Sequence, residues 1–369
     1  MALLRLQIQD FRNIQQAELS PGSGLNVLLG RNGSGKTSLL EAIHYLGLGR
    51  SFRTHLTNRV IGHGEKAFTL FAQVATPSYG QLPLGLSKSR AGDTQLRLGG
   101  RPAERLAQLA ELLPLQLIHP EGFSLLTGGP QQRRAFIDWG VFHVERSFFP
   151  LWSQVRRLLK QRNALLRQSS SYAPLAFWDQ ELARLGADLA QHRQNYCEAL
   201  LPLLQEITAD FLPEYEFRIG FYPGWDRQRP LLELLQEGFE RDRLMGHTAI
   251  GPHKADLRLK VGGVPVQDLL SRGQLKLLVC AMRLAQGQFL NQQGERQCIF
   301  LIDDFASELD SEKRRLLAHR LKQCASQVFI TAIDEAPLAD MMSELECHLF
   351  HVEQGAITEY PARESESKR

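Results

Sequence analysis

The sequence predicts an α/β fold whose two halves are separated by a mainly helical insertion. Three observations carry this. An apolar run at 25–29 leads into a glycine-rich turn and then a helical pattern. A second apolar run, at 298–302, ends in two aspartates. Between them, residues 130–212 show long helical periodicity with few glycines. The first two are strand–loop–helix and strand–carboxylate units of a buried sheet, and the third has the wrong period for any sheet. The α/β domain is therefore expected over 1–125 and 250–369, and the helical lobe over 126–249.

The elements follow in order. Leu4, Leu6 and Ile8 alternate with Arg5, Gln7 and Gln9, the pattern of a half-buried strand. The run from Leu25 to Leu29 is more continuously apolar, ends at Gly30 and reads as a central strand. A helix is expected over 36–46. Residues 54–118 read as short strands and turns, with glycine and proline clusters near 76–85 and 91–102. Residues 214–250 are mixed, and alternation returns at Leu257, Leu259 and Val261. A helix over 273–290, a strand over 298–302, a helix over 311–324 and a strand over 328–331 complete the pattern. The charged tail at 364–369 is expected to be disordered.

Apolar residues make up 43% and charged residues 22% of the 369, the balance of a soluble globular protein. The formal net charge is only +3, so a surface for nucleic acid has to be a local patch. The five cysteines, Cys197, Cys280, Cys298, Cys324 and Cys347, are odd in number and contain no C-x-x-C. They point to a reducing compartment and away from a disulfide framework or a zinc site. The N-terminus lacks the basic and then apolar pattern of a signal peptide, and no stretch suits a bilayer. A cytoplasmic location without membrane attachment is expected.

Two segments carry chemistry. Gly30-Arg31-Asn32-Gly33-Ser34-Gly35-Lys36-Thr37-Ser38 matches G-x-x-x-x-G-K-[ST]. Its glycines let several N–H groups converge on one anion, and the following helix adds its positive end. Lys36 reaches the β- and γ-phosphates of ATP, and the Thr37 hydroxyl ligates Mg²⁺. Downstream, the apolar run 298–302 delivers Asp303 to the Mg²⁺ shell. Asp304 is placed to orient or deprotonate the attacking water. Lys36, Asp303 and Asp304 are the expected catalytic set, and Thr37 and Asp303 the expected metal ligands.

Between these segments, Ser271-Arg272-Gly273-Gln274 opens a helix and makes a second anion cradle. By itself it reads equally as a capped helix start. Its position, one helix before the Asp303 strand, is that of the signature loop in ABC-type ATPases. There the loop meets the γ-phosphate held by a second subunit. Ser307-Glu308-Leu309-Asp310 resembles the D-loop that crosses the same dimer interface. The fold expected is thus an ABC-type P-loop ATPase head interrupted by a helical second lobe.

Longer motifs narrow the resemblance. Pro120-Glu121, Leu125-Leu126, Gly128-Gly129-Pro130, Arg133-Arg134 and Phe136-Ile137-Asp138 resemble one signature of the bacterial RecF recombination family. Leu301-Ile302-Asp303, residues 307–310 and Lys313 resemble a second. Phe11-Arg12-Asn13 and residues 251–256 are similar to RecF as well. The resemblance implies a head related to those of Rad50 and SMC proteins. It also implies a weak, DNA-stimulated ATPase and a homodimer formed with ATP. The implied role is in DNA repair, recombination, replication and the response to DNA damage, acting with RecO and RecR to load RecA at single-strand gaps. The sequence departs from the family pattern at Lys254, commonly Arg, at Ala255, commonly Asp, and at Arg272, commonly Gln. No Q-loop glutamine stands out, and the Pro120-Glu121 neighbourhood falls in its place.

DNA, whether single-stranded, duplex or gapped, is expected to be held without sequence readout. The segment 153–168 sets Val155, Leu158, Leu159, Leu165 and Leu166 on one side. Arg156, Lys160 and Arg167 lie opposite, with Arg157 and Arg162 flanking. No acid interrupts the segment. The plain alternative is a solvated helix of the insertion. Arg50 and Arg53, and the group Lys88, Arg90, Arg97 and Arg101, are further candidate patches. Arg133 and Arg134 are open to contact with DNA or nucleotide, or to pairing with Asp138 and Glu145; the structural role is favoured. Two competing functions share the P-loop. A transporter ATPase calls for a clear Q-loop and a histidine where Thr331 stands; a scaffold with a dead ATPase calls for a damaged catalytic set.

Overall fold

The apolar run at 25–29 becomes the strand Leu25–Leu29, buried along its whole length. Its apolar residues suit a place inside a sheet, between Val328–Ala332 and Cys347–Glu353, both parallel to it, and the buried Asn26 donates to the carbonyls of Gly22 and Val328. Ile299–Ile302 pairs with the far side of Val328–Ala332, and Leu115–Ile118 with the far side of Ile299–Ile302, again in parallel. Ala356–Tyr360 closes the other edge, antiparallel. This computed structural model describes residues 1–77, 79–294 and 296–360. The tail at 364–369 lies outside them.

The chain divides into two compact units. One comprises Met1–Gly122 and the chain from Arg283 onward, and the other Phe123–Met282. The second junction falls further along than the change of pattern at 250. The reason is local: Asp256–Val261 pairs residue by residue with Phe217–Tyr222 and so stays with the helical lobe.

In the first unit a second, antiparallel sheet runs in the order Ile14–Leu19, Ala2–Phe11, Ala67–Thr76, Gly80–Ser89, Thr94–Leu98 and Arg101–Pro102. Residues 67–89 form two long strands, where glycine and proline suggest short ones. Pro83 is tolerated because the neighbouring strand ends at the pair Leu84–Leu98, so no ladder bond is lost there. The helix Lys36–Leu48 packs Leu39, Leu40, Ile43 and Leu46, all fully buried, into the core shared with this sheet. Phe11, Tyr45 and Phe68 meet edge to face at 5.1 to 6.0 Å, the favoured aromatic geometry.

The second unit is built on three helices, Pro130–Val144, Phe148–Leu166 and Ala176–Phe211, with the small sheet of Phe217–Tyr222, Asp256–Val261 and Val264–Pro265. Charged ties organise it. Arg133 grips Asp256 with two bonds of 2.7 and 3.0 Å, and Arg193 grips Asp138 at 2.8 and 3.0 Å. Arg134 donates to the Ala255 carbonyl and Arg193 to that of Pro252, both at 2.7 Å. Arg133 and Arg134 are thus structural as expected, with different partners. Asp138 belongs to Arg193, and the 251–256 segment is what the two arginines hold.

Candidate nucleotide-binding site

After Leu29 the chain turns through 30–35 and enters its helix at Lys36. Gly33 and Gly35 adopt φ of 80° and 118°, which side chains disfavour. A Cβ on Gly33 would meet nothing within 4 Å, so backbone conformation, not crowding, requires glycine there. The Lys36 side chain is buried along the loop, and its Nζ donates to the carbonyls of Gly30 (2.6 Å) and Arg31 (3.0 Å). Burial pushes its pKa down, opposed by the charges of Asp304 and Asp303.

The parallel order of strands brings the acids to this loop. Asp303 N–H donates to the Ile118 carbonyl (2.9 Å) as the strand Ile299–Ile302 ends, at the carboxyl edge where open α/β sheets bind ligands. Thr37 Oγ1 donates to Asp303 Oδ1 at 3.0 Å, across 266 residues of sequence. Thr331, on the strand between the two segments, accepts from Asp304 N–H (2.8 Å). Its hydroxyl lies 3.0 Å from Asp303 Oδ1 and 3.3 Å from Asp304 Oδ1, with one proton to serve either. Burial raises the Asp303 pKa, Asp304 adds to the rise, and the hydroxyls of Thr331 and Thr37 oppose it. Asp304 has φ of 48°, a left-handed conformation that Asp and Asn adopt more readily than longer residues. That gives a physical reason for aspartate at this position.

Around these groups lies a cavity of about 820 Å³, lined among others by Arg12, Asn13, Lys36, Thr37, Arg53 and Asp304. In the sequence Arg12 and Asn13 stand out only as family-like residues, yet Asn13 braces the loop and Arg12 the helix that follows it. Asn13 accepts from Ser38 Oγ (2.8 Å) and donates to the Gly33 carbonyl (3.4 Å). Arg12 grips the fully buried Glu41 with bonds of 3.0 and 2.6 Å, and Ser51 and Arg53 complete the shell of Glu41. The available signal was an acid on the inner face of the P-loop helix with arginines on both sides of it in sequence. The site fits a triphosphate and a hard cation. Ser34 Oγ is buried in the loop without a hydrogen-bond partner, and a hydroxyl beside a carboxylate is the oxygen donor set that Mg²⁺ favours.

The RecF/RecN/SMC N-terminal domain family matches residues 2–358. The DNA replication and repair protein RecF of Aliivibrio fischeri is 53% identical over 97% of this chain and 100% of its own length. That of Erwinia tasmaniensis is 54% identical over 98% and 99%. The chain belongs to the RecF family. The ATP-bound structure of the recombination mediator protein RecF of the RecFOR pathway superposes with a TM-score of 0.87, at 22% identity and 97% coverage of both chains. It shares the fold. No helix among the described residues is long and apolar enough to cross a membrane.

The remaining RecF-type motifs are on view. Ser271, Arg272 and Gly273 are exposed in the second unit, at the start of the helix Arg272–Gln292. Ser271 Oγ accepts from Gln274 N–H (3.3 Å) while Gln274 Oε1 accepts from Ser271 N–H (2.9 Å), a reciprocal cap. In the first unit, Ser307 Oγ donates to the Asp304 carbonyl (2.8 Å), and Asp310 caps the helix Ser311–Cys324 by accepting from Lys313 N–H (2.8 Å). Glu308 is exposed and Leu309 buried between them.

On the basic helix Phe148–Leu166 and its cap, Arg156, Arg157, Lys160 and Arg167 are exposed. Arg162 is not, and it is withdrawn as a residue that touches DNA. Its side chain is fully buried, with donors on Asp179 (2.7 and 3.3 Å), Asp242 (2.7 Å), Thr248 Oγ1 (2.9 Å) and the Leu235 carbonyl (3.2 Å). All five guanidinium N–H groups are thereby used. Breaking such a buried pair costs about 3–5 kcal/mol. The sequence held the clue, since Arg162 stands seven residues after Val155 and four before Leu166, on the buried stripe. Among the other patches, Arg90 is tied to the carbonyls of Glu65, Asn58 and Gly62. Lys88 lies over the Tyr45 ring.

Proposed function

We propose that this RecF-family chain binds ATP at residues 30–38 and uses it to close a homodimer on DNA. Its work would be recombinational repair and replication, helping with RecO and RecR to load RecA at single-strand gaps in the cytoplasm. The observation that carries the nucleotide site is the convergence of Lys36, Thr37, Asp303 and Asp304, and the DNA role rests on family membership. Thr37 and Asp303 would hold Mg²⁺, which neutralises phosphate charge when bound. Asp304 would orient the attacking water, and Ser271 of one subunit would meet the γ-phosphate held by the other. The deciding experiment measures binding to gapped, single-stranded and duplex DNA, with ATP and without it. ATP-independent affinity for all three would overturn the gating.

Dimerisation is the next consequence. ATP, and not ADP, is expected to favour the dimer, because only ATP offers the γ-phosphate to the exposed Ser271. The Ser271→Arg substitution should abolish that dimer, as read by light scattering with each nucleotide. The position is exposed, and the cap bond from Gln274 N–H that the change removes is worth only about 0.5–2 kcal/mol. A variant dimerising with ATP as well as the parent would sink the sandwich arrangement.

For DNA, reversing Arg156, Lys160 and Arg167 to glutamate is expected to weaken binding to all sequences alike. Each phosphate that no longer meets a cation lowers the slope of log K against log salt by about 0.9 on duplex. Titrations at several salt concentrations check this. Unchanged affinity would move the DNA surface to Arg50, Arg53 and the cavity edge.

A further inference from the structure

The helix Phe148–Leu166 carries more than charge. Phe149, Arg156, Lys160 and Arg167 follow one another at spacings of seven, four and seven residues, which keeps them on one face. At 1.5 Å rise per residue this face is roughly 27 Å long. Its N-terminal end is aromatic. The rings of Phe149 and Trp152 lie nearly parallel, 21° apart with centroids at 6.1 Å, and the Arg156 guanidinium sits 4.6 Å from the centre of the Trp152 ring. Phe142, on the preceding helix, meets Phe149 edge-on at 5.9 Å. Phe149 and Trp152 are half-buried, while Arg156, Arg157 and Lys160 stand exposed. The helix contains no Asp or Glu.

We propose that this face is a stacking platform for unpaired DNA bases, with Arg156, Lys160 and Arg167 following the phosphates of the same strand. The proposal rests on the DNA-binding reading and adds to it which form of DNA this surface takes. Charge complementarity selects a polyanion. The aromatic end selects among polyanions. A duplex hides the faces of its bases, whereas a single strand offers a π-face at every nucleotide, and aromatic rings and arginine planes both accept it. Three cations in a row on one helix also suit a single backbone.

The test uses the full chain with ATP, a labelled oligothymidylate, and a duplex of matched length. Trp152→Ala is expected to lower affinity for oligothymidylate roughly tenfold or more, while duplex affinity changes by less than about twofold. Trp152→Phe, which keeps a ring, should recover most of the loss. Arg156→Ala, at an exposed position, removes both a phosphate contact and the partner of the Trp152 ring, so it should lower affinity for oligothymidylate more than for duplex. Intrinsic tryptophan fluorescence should be quenched by oligothymidylate in the parent and much less in Trp152→Phe. An equal loss on both DNAs, or none on oligothymidylate in either alanine variant, would overturn the platform. A parent that binds duplex but not oligothymidylate would overturn the platform alone. A parent that binds neither would overturn the DNA-binding reading as well.

Discussion

Lys36→Ala is expected to lower ATP affinity roughly 100-fold or more, and turnover with it. The lysine lies buried along the loop with its ammonium on the carbonyls of Gly30 and Arg31, so a charge is held inside the turn that is to surround the phosphates. Backbone N–H groups and the helix end can polarise an anion, but they carry no net charge to offset the triphosphate's. The fold should survive. Asn13 still holds Gly33 and Ser38, and Gly355 N–H still donates to the Ser34 carbonyl at 2.8 Å, so the loop keeps ties that do not involve position 36. Calorimetric titration with ATP, beside circular dichroism and a thermal melt, separates the two effects. Parental affinity in a folded variant would remove the nucleotide from residues 30–38. A variant that binds normally but does not turn over would confine Lys36 to the chemical step.

The P-loop and the Asp303 strand were legible because each is local. A contiguous motif fixes one backbone turn, and an apolar run ending in acids fixes one strand end. Their meeting was legible only as an expectation. The strand Val328–Ala332, which separates the two and sets Thr331 between the acids, comes from the chain order of a parallel sheet that periodicity does not report. Arg162 shows the opposite failure. Counting charge along a helix treats every arginine as a surface group. Asp179 and Asp242, which neutralise this one, arrive from helices 17 and 80 residues away. Arg12 and Glu41 were missed for the same reason. Their bond spans 29 residues, and neither belongs to a motif whose chemistry can be read alone. Interactions between elements are invisible until the elements are placed.

Asp304→Asn is expected to leave ATP binding, dimerisation and DNA binding in place while reducing single-turnover hydrolysis by roughly 100-fold or more. The substitution isolates the carboxylate. Asparagine tolerates the left-handed φ of 48° as well as aspartate does, and its side-chain oxygen can still approach the Thr331 hydroxyl. Only the capacity to draw a proton from water is lost. The parent itself should be slow. Aspartate is a methylene shorter than the glutamate common at this position. Thr331, where transporters place a histidine, is already engaged with Asp303 and Asp304. Phosphoryl transfer depends on how the water and the developing charge are positioned, and a displacement of about 1 Å can cost roughly 100-fold. Hydrolysis at this site would then set the lifetime of a closed dimer and supply no stroke. The variant should consequently hold DNA longer than the parent in the presence of ATP. With a non-hydrolysable ATP analogue, the two should release DNA at the same rate. Fast turnover by the parent would contradict the timer. Normal DNA release by a variant shown not to hydrolyse ATP would contradict it independently, because opening would then not wait for loss of the γ-phosphate.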